Sequence, residues 1–336
     1  MRAGALAGLG PRAYGRAMSL PDWAHFIADP ARYASFLRAI EQGCARLEIG
    51  LELDAEAGIL RPREQPEAGG AQLSVGLKSL AQRWHGFGER AEGPAGEALI
   101  QSELEQIAAR LQPDPELEAE LDQLERARPR LRLRLFNERA AVAMAVGLVQ
   151  RRLTRGLFAA LALDLPTSLR PVAPERLARW GSSLDELWPQ ALAQTLATPV
   201  QVEAMRLFDR IPCVAVTGDS LVTTSQLLGL EGPLAQVLGR VPDEGAVVVV
   251  PNRHTLLAYP LGVYDFEAQT ALLGLAKAGA HLYEQGPGSL SPELNWWRPG
   301  GSLEHIRAGL HASGRLVLGA SQDFLDCIGA PGERLH

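Results

Sequence analysis

Cys213-Val-Ala-Val216, Thr217-Gly-Asp-Ser220, Ala246-Val-Val-Val-Val250 and Pro251-Asn-Arg-His254 succeed one another between Ile211 and Leu261. The first and third are apolar runs of strand length, and each is cut short by a polar turn signal. An apolar helix is expected after Ser220, and Thr255-Leu-Leu-Ala-Tyr259 reads as a returning strand. Two polar corners thus stand at the ends of hydrophobic strands, where a layered domain exposes the groups it uses. Neither corner carries a motif of known mechanism. The stretch specifies architecture before it specifies chemistry.

Working outward, the rest of the chain alternates helical and strand periodicities. Ser19-Leu-Pro-Asp22 has the serine cap, early proline and first-turn acid of a helix start, and Asp29-Pro30 restarts it. Tyr33, Phe36, Leu37, Ile40 and Cys44 recur at helical spacing. Leu47, Ile49, Leu51 and Leu53 alternate with polar residues or glycine and predict a half-buried strand, with a return strand from Ile59. A short strand at Leu73–Val75 and helices on Leu77–Phe87 and Ile100–Leu111 follow. The acidic, proline-containing segment Gln112 to Glu125 reads as a flexible boundary.

Beyond it, Arg130-Leu-Arg-Leu-Arg-Leu135 and Leu157 to Leu163 predict strands, and Ser183-Leu-Asp-Glu186 is a capping box launching a helix. Phe266 to Tyr283 predicts an amphipathic helix ended by Gly286-Pro-Gly288, and Arg315–Leu318 a last short strand. Leu51-Glu-Leu-Asp54 with Leu60-Arg-Pro62 echoes Leu161-Ala-Leu-Asp164 with Leu169-Arg-Pro171, roughly a hundred residues apart, about one domain length. The expected fold is therefore α+β, with mixed sheets packed by amphipathic helices and two similar lobes from an internal duplication. The expected division is a leader at 1–18, lobes at 19–125 and 126–320, and a tail at 321–336.

Composition sets outer limits on function. The chain has 336 residues, 46% hydrophobic and 21% charged, with 33 Lys+Arg against 39 Asp+Glu and a formal charge of -6. That acidic balance offers no general attraction to nucleic acid or anionic membrane. Cys44, Cys213 and Cys327 are odd in number and far apart, which argues against a disulfide framework and fits a reducing compartment. No run approaches the ~18 apolar residues of a membrane span. The N-terminal apolar run is short and cut by Pro11-Arg12, so it reads as a frayed leader rather than an export signal. A cytoplasmic protein with no membrane partner is expected.

The second half resembles the YtpQ-like family, bacterial proteins carrying a domain of unknown function. The resemblance rests on Ala162-Leu-Asp164, Trp180, the helix Leu184–Leu196, Val214-Ala-Val216 with Gly218-Asp219, and Ser225-Gln-Leu-Leu228. It continues in Gly245-Ala-Val-Val-Val-Val-Pro251, Thr255-Leu-Leu257, Gly288-Ser-Leu-Ser291 and Trp296-Trp297. It implies an intracellular protein of strands and helices and carries no activity, cofactor or catalytic residue with it. Proline- and alanine-rich insertions and a longer tail depart from the family pattern.

Candidate chemistry is sparse. Asp219 could serve as a base or metal ligand, or Asp219 and Ser220 could cap the helix that follows. Asn252, Arg253 and His254 supply an anion fork and an acid–base group, or an ordinary turn. Cys213 with His254 suggests a nucleophile and base, but a cysteine opening an apolar strand behaves as a small hydrophobe. The remaining histidines, His25, His85, His281, His305 and His311, lack paired-ligand spacing, so no metal is expected, and no cofactor loop is present. Arg126, Arg128, Arg130, Arg132 and Arg134 alternate with other residues as a phosphate- or RNA-binding face would, or as a solvent face opposite Glu48 and Glu52. No aromatic lies within that run, which disfavours nucleic acid. Trp296-Trp297 sits in a Gly/Pro-rich region and reads as an exposed contact surface. The expectation is a non-catalytic protein- or peptide-binding module. The alternative is a hydrolase or transferase using residues 217–225 and 251–254.

Overall fold

The computed structural model describes residues 20–21, 23–47, 50–62, 75–111, 115–138, 147–165, 168–310 and 316–329. The N-terminal leader, Ser19, Asp22, Glu48 and residues 330–336 of the tail lie outside them. The chain forms two units, Met1–Ala108 and Ala109–His336, so the division falls within a helix rather than at residue 125.

In the first unit, α1 (Pro30–Arg46) starts where Asp29 accepts a hydrogen bond from the Ala31 amide at 2.8 Å and Pro30 takes the first turn. Its buried face carries Tyr33, Phe36, Leu37, Ile40 and Cys44. Strands β1 (Leu51–Asp54), β2 (Ile59–Pro62) and β3 (Val75–Gly76) form one antiparallel sheet. Helices α2 (Lys78–Gly86) and α3 (Pro94–Leu111) follow. The core is aromatic, with Phe36 against Trp84 at 5.4 Å and Trp23 against Tyr33 at 5.7 Å.

The second unit opens on α4 (Pro115–Leu121) and α5 (Leu124–Ala127), where the sequence predicted a flexible boundary. Pro115 marks a helix start instead, and Leu121 is fully buried with its carbonyl accepting the Trp180 indole N–H at 3.0 Å. Strands β4 (Leu131–Asn137), β5 (Gln150–Thr154), β6 (Leu157–Leu165) and β7 (Ser168–Pro171) make a four-stranded sheet around β6. Helix α6 (Pro174–Arg179) leads to α7 (Leu184–Leu196), which has the expected capping box on Ser183 and Glu186.

The remaining elements build a seven-stranded sheet. They are β8 (Gln201–Leu207), β9 (Ile211–Thr217), α8 (Glu231–Leu238), β10 (Ala246–Asn252), β11 (Thr255–Pro260) and α9 (Ala268–Gln285). Then come β12 (Ser289–Arg298), β13 (Ser302–Leu310), β14 (Leu316–Gly319) and α10 (Gln322–Cys327). The strand order is β14-β13-β12-β10-β11-β9-β8. The fold is α+β, and every described strand pairing is antiparallel.

The valine run of β10 is apolar throughout because both its faces are covered. Val247 and Val249 join Leu272 and Leu275 of α9 and Phe324 of α10 in one cluster. Ala246, Val248 and Val250 join Val214, Val216 and Leu256, and with them Leu135, Leu157 and Ala159 of the four-stranded sheet. Each buried valine side chain contributes about 1.5–3 kcal/mol. Helix α9 comes close enough that a Cβ on Gly274 would lie 2.0 Å from Ile211 Cδ1, and one on Gly279 2.6 Å from Val249 Cγ2.

The two segments that echo one another are both antiparallel hairpins, β1–β2 and β6–β7. Their registers differ by one residue, since Leu51 faces Pro62 whereas Ala162 faces Pro171. Around them the described parts of the units diverge, with a three-stranded sheet in one and four- and seven-stranded sheets in the other.

Candidate functional site

Strands β9 and β11 are neighbours, with Thr217 opposite Thr255, so the two polar corners meet at one end of the large sheet. The Gly218 amide donates to the His254 carbonyl at 3.3 Å, and His254 Nδ1 lies 3.0 Å from the Gly218 carbonyl. A carbonyl only accepts, so Nδ1 carries the proton. The convergence was not derivable from either corner alone.

The corner side chains are engaged in holding backbone. Asn252, 3% exposed, accepts from the His254 amide at 2.9 Å and donates to the Leu282 carbonyl near the end of α9 at 3.2 Å. The Arg253 amide donates to the Gly288 carbonyl at 3.1 Å. Gly288 has φ 71, and a Cβ there would fall 1.8 Å from Arg253 Nε, so only glycine suits the position. Ser220 Oγ accepts from the Val222 amide at 3.3 Å, and its carbonyl accepts from Thr223, which opens the 3-10 helix Thr223–Gly229; the apolar helix expected after Ser220 is this turn followed by α8. Asp219 is exposed.

Cys213 does not pair with His254. It is fully buried, and burial pushes its thiol up to about 12. Its position on β9 lies five residues from Gly218, roughly 16 Å along a strand at 3.3 Å per residue. Among the described residues no group of three or more His, Cys, Asp or Glu is placed to hold a metal ion. No helix there is long and apolar enough to cross a membrane.

The tryptophan pair is not an exposed turn. Trp296 and Trp297 lie in β12, 5% and 0% exposed, one on each face of the sheet. The Trp296 indole donates to the Glu244 carbonyl at 2.8 Å. Pro292 had disguised this strand as a turn. It falls where the β10–β12 register jumps between Val249 and Val250, and that irregularity tolerates its missing N–H.

The arginine run is also divided. Arg128 and Arg130 lie on a 3-10 turn, and only Arg132 and Arg134 are on β4. Strand β4 pairs with β6, while Glu52 faces Arg61 on β2, so the expected Glu52 partnership does not form. Arg132 pairs with Asp164 at 3.2 Å and Arg130 with Glu120 at 3.7 Å, and the Arg134 guanidinium covers the Phe136 ring at 4.8 Å.

What the sequence reading missed is β8. It pairs with β9 from Gln201–Thr217 to Leu207–Ile211 and closes the strand order, with no described strand on its outer side. Gln201, Glu203, Ala204 and Arg206 are exposed. The turn that follows places Phe208 at φ 51 and Asp209 at φ 60, closed by the Arg210 amide on the Leu207 carbonyl at 3.1 Å. Phe208 is 60% exposed at this tip. Each left-handed non-glycine residue costs about 1–2 kcal/mol. The sequence carries no strict alternation here; the available signal was only a short run with Val200, Val202 and Met205, bounded by Thr198-Pro199 before it and Asp209 after it.

In comparisons with known proteins, no family model, no curated protein and no solved structure matches this chain.

Proposed function

We propose that this chain is a non-catalytic, cytoplasmic protein- or peptide-binding module, related to the YtpQ-like family, whose ligand is an extended segment that pairs with β8. The observation that carries the reading is a seven-residue strand at the end of the sheet's order, whose outer side no described strand pairs. Such an edge is roughly 20 Å long at 3.4 Å per residue and offers main-chain donors and acceptors to an incoming strand. Affinity then comes from backbone hydrogen bonds and selectivity from alternate side chains.

Those side chains define the ligand's chemistry. On the α9 side stand Glu203 and Met205, with Phe208 beyond them at the tip; on the other stand Val202 and Arg206. A matching segment carries a basic residue toward Glu203, an acidic one toward Arg206, and an aromatic or aliphatic residue for Phe208. Glu203 and Arg206 also serve the free protein, because charges on an edge discourage indiscriminate sheet extension. The exposed and strained aromatic turn adds a contact anchor next to the edge.

The test is selection of peptides from a random library against the parent chain, followed by titration of the winners against an Ala204→Asp, Phe208→Ser variant. Binding weakened at least tenfold with unchanged thermal unfolding supports the reading. Peptides that bind parent and variant equally refute it. The second reading, a hydrolase or transferase, draws on the meeting of the corners at Gly218 and His254. Against it stands the use of Asn252 and Ser220 to hold main chain.

A further inference from the structure

From Pro115 to Ala127, helices α4 and α5 carry carboxylates at every charged position except Arg126. Those carboxylates meet guanidiniums of the second unit. Glu118 pairs with Arg170 of β7 and with Arg176 of α6. Asp122 pairs with Arg179 of α6 at 3.0 Å and with Arg176 at 3.6 Å. Glu120 and Glu125 reach Arg130 and Arg128 of the 3-10 turn at 3.7 and 3.2 Å. One sign of charge stands on the segment, and the other on the elements that hold it.

Few apolar groups reinforce these pairs. Leu121 and Ala127 are fully buried, while Leu117 and Leu124 are only partly so. In β6, by contrast, Leu157 and every residue from Ala159 to Leu163 is fully buried. Two further bonds join the segment and its turn to the rest, from the Trp180 indole to the Leu121 carbonyl at 3.0 Å and from Arg128 to Gln190 Oε1 at 3.1 Å. Helices of seven and four residues are far below the ~12–15 that persist alone, so a released segment unwinds. Arg176 Nη1 is buried without a hydrogen-bond partner, so the clasp leaves its most enclosed cation incompletely satisfied. Segments with few buried apolar contacts open at lower cost than the core they cover.

We infer that α4–α5 is a strap fastened by ion pairs, which opens as one piece while the sheets stay folded and bares a basic surface beside Trp180. Opening frees the indole donor and leaves Arg170, Arg176 and Arg179 next to the apolar cluster that contains Leu131, Leu163 and Leu187. Ionic strength sets the opening. The Glu118 and Asp122 side chains are 32% and 43% exposed, so dissolved ions reach them. The screening length falls from about 10 Å at 0.1 M salt to about 3 Å at 1 M. The strap is separate from β8, and neither proposal depends on the other.

The test is hydrogen exchange of the full chain, read by mass spectrometry, in sodium chloride at the same two concentrations. Amides of residues 115–127 should exchange about tenfold faster or more in the higher salt, with those of β6 unchanged. A Glu118→Gln, Asp122→Asn variant should exchange there about tenfold faster than the parent in the lower salt and lose most of the salt response. Should the variant fail to fold, the salt series on the parent decides alone. Exchange of the strap at the rate of β6 in both salts overturns the inference, as does a salt response that the two share equally. So does rapid exchange of the strap that ignores salt.

Discussion

Replacing Asn252 with alanine separates the two readings of the corners. Its carboxamide is almost fully buried and makes one bond to the His254 amide and one to the Leu282 carbonyl, at 2.9 and 3.2 Å. Each such bond is worth about 0.5–1.5 kcal/mol net, and a buried amide stripped of its acceptor costs about 1–3 kcal/mol. The Leu282 carbonyl still receives the Gly286 amide at 2.8 Å, so the larger penalty falls on His254. The expected loss is about 2–4 kcal/mol, read as a lower urea midpoint at constant slope. A double-mutant cycle with His254→Ala should show non-additivity, because the two residues share one turn. An Asn252→Ala variant within about 0.5 kcal/mol of the parent would refute the structural role assigned to this corner.

Three further outcomes are expected. Cys213 and Cys327, whose thiols are both raised to about 12, chiefly by burial and for Cys327 also by Glu244, should resist a thiol reagent at pH 8 until the chain unfolds; stoichiometric labelling of the folded protein would contradict this. Burial alone would raise the Glu118 carboxyl, but hydrogen bonds and charge from Arg176 and Arg170 hold it below its usual range. Its contribution is therefore present above the unfolded carboxylate value and lost as pH falls through the folded one. Glu118→Gln should cost stability near neutrality, with the gap to the parent closing in acid; a gap independent of pH would exclude that linkage. Gly274→Ala should destabilise by about 1–3 kcal/mol through overpacking on Ile211, measured by denaturant unfolding, and a neutral result would mean that α9 shifts freely.

The parts of the fold legible in the sequence are those where one residue pattern had one physical solution. Ala246–Val250 is apolar on both faces because helices cover one side and strands the other, and the Ser183 capping box starts α7 where the sequence placed that start. Cys213 read correctly as a small core residue. Three kinds of information were not local. Pro115 and Pro292 act as a helix start and a bulge residue, and their neighbours in space determine which. The tryptophans of β12 look exposed only when the strands flanking them are unknown. The meeting of Gly218 with His254 and the end position of β8 among the described strands are properties of strand order, which no single segment encodes.

Hydrogen exchange along Gln201–Leu207 tests the central claim most directly. An outer edge leaves alternate amides without a ladder partner. In the free protein, alternate amides of β8 should exchange orders of magnitude faster than those of β10, and a selected peptide should protect those same amides. Uniform protection of β8 in the free chain, or peptide-induced protection confined to other strands, would contradict the account.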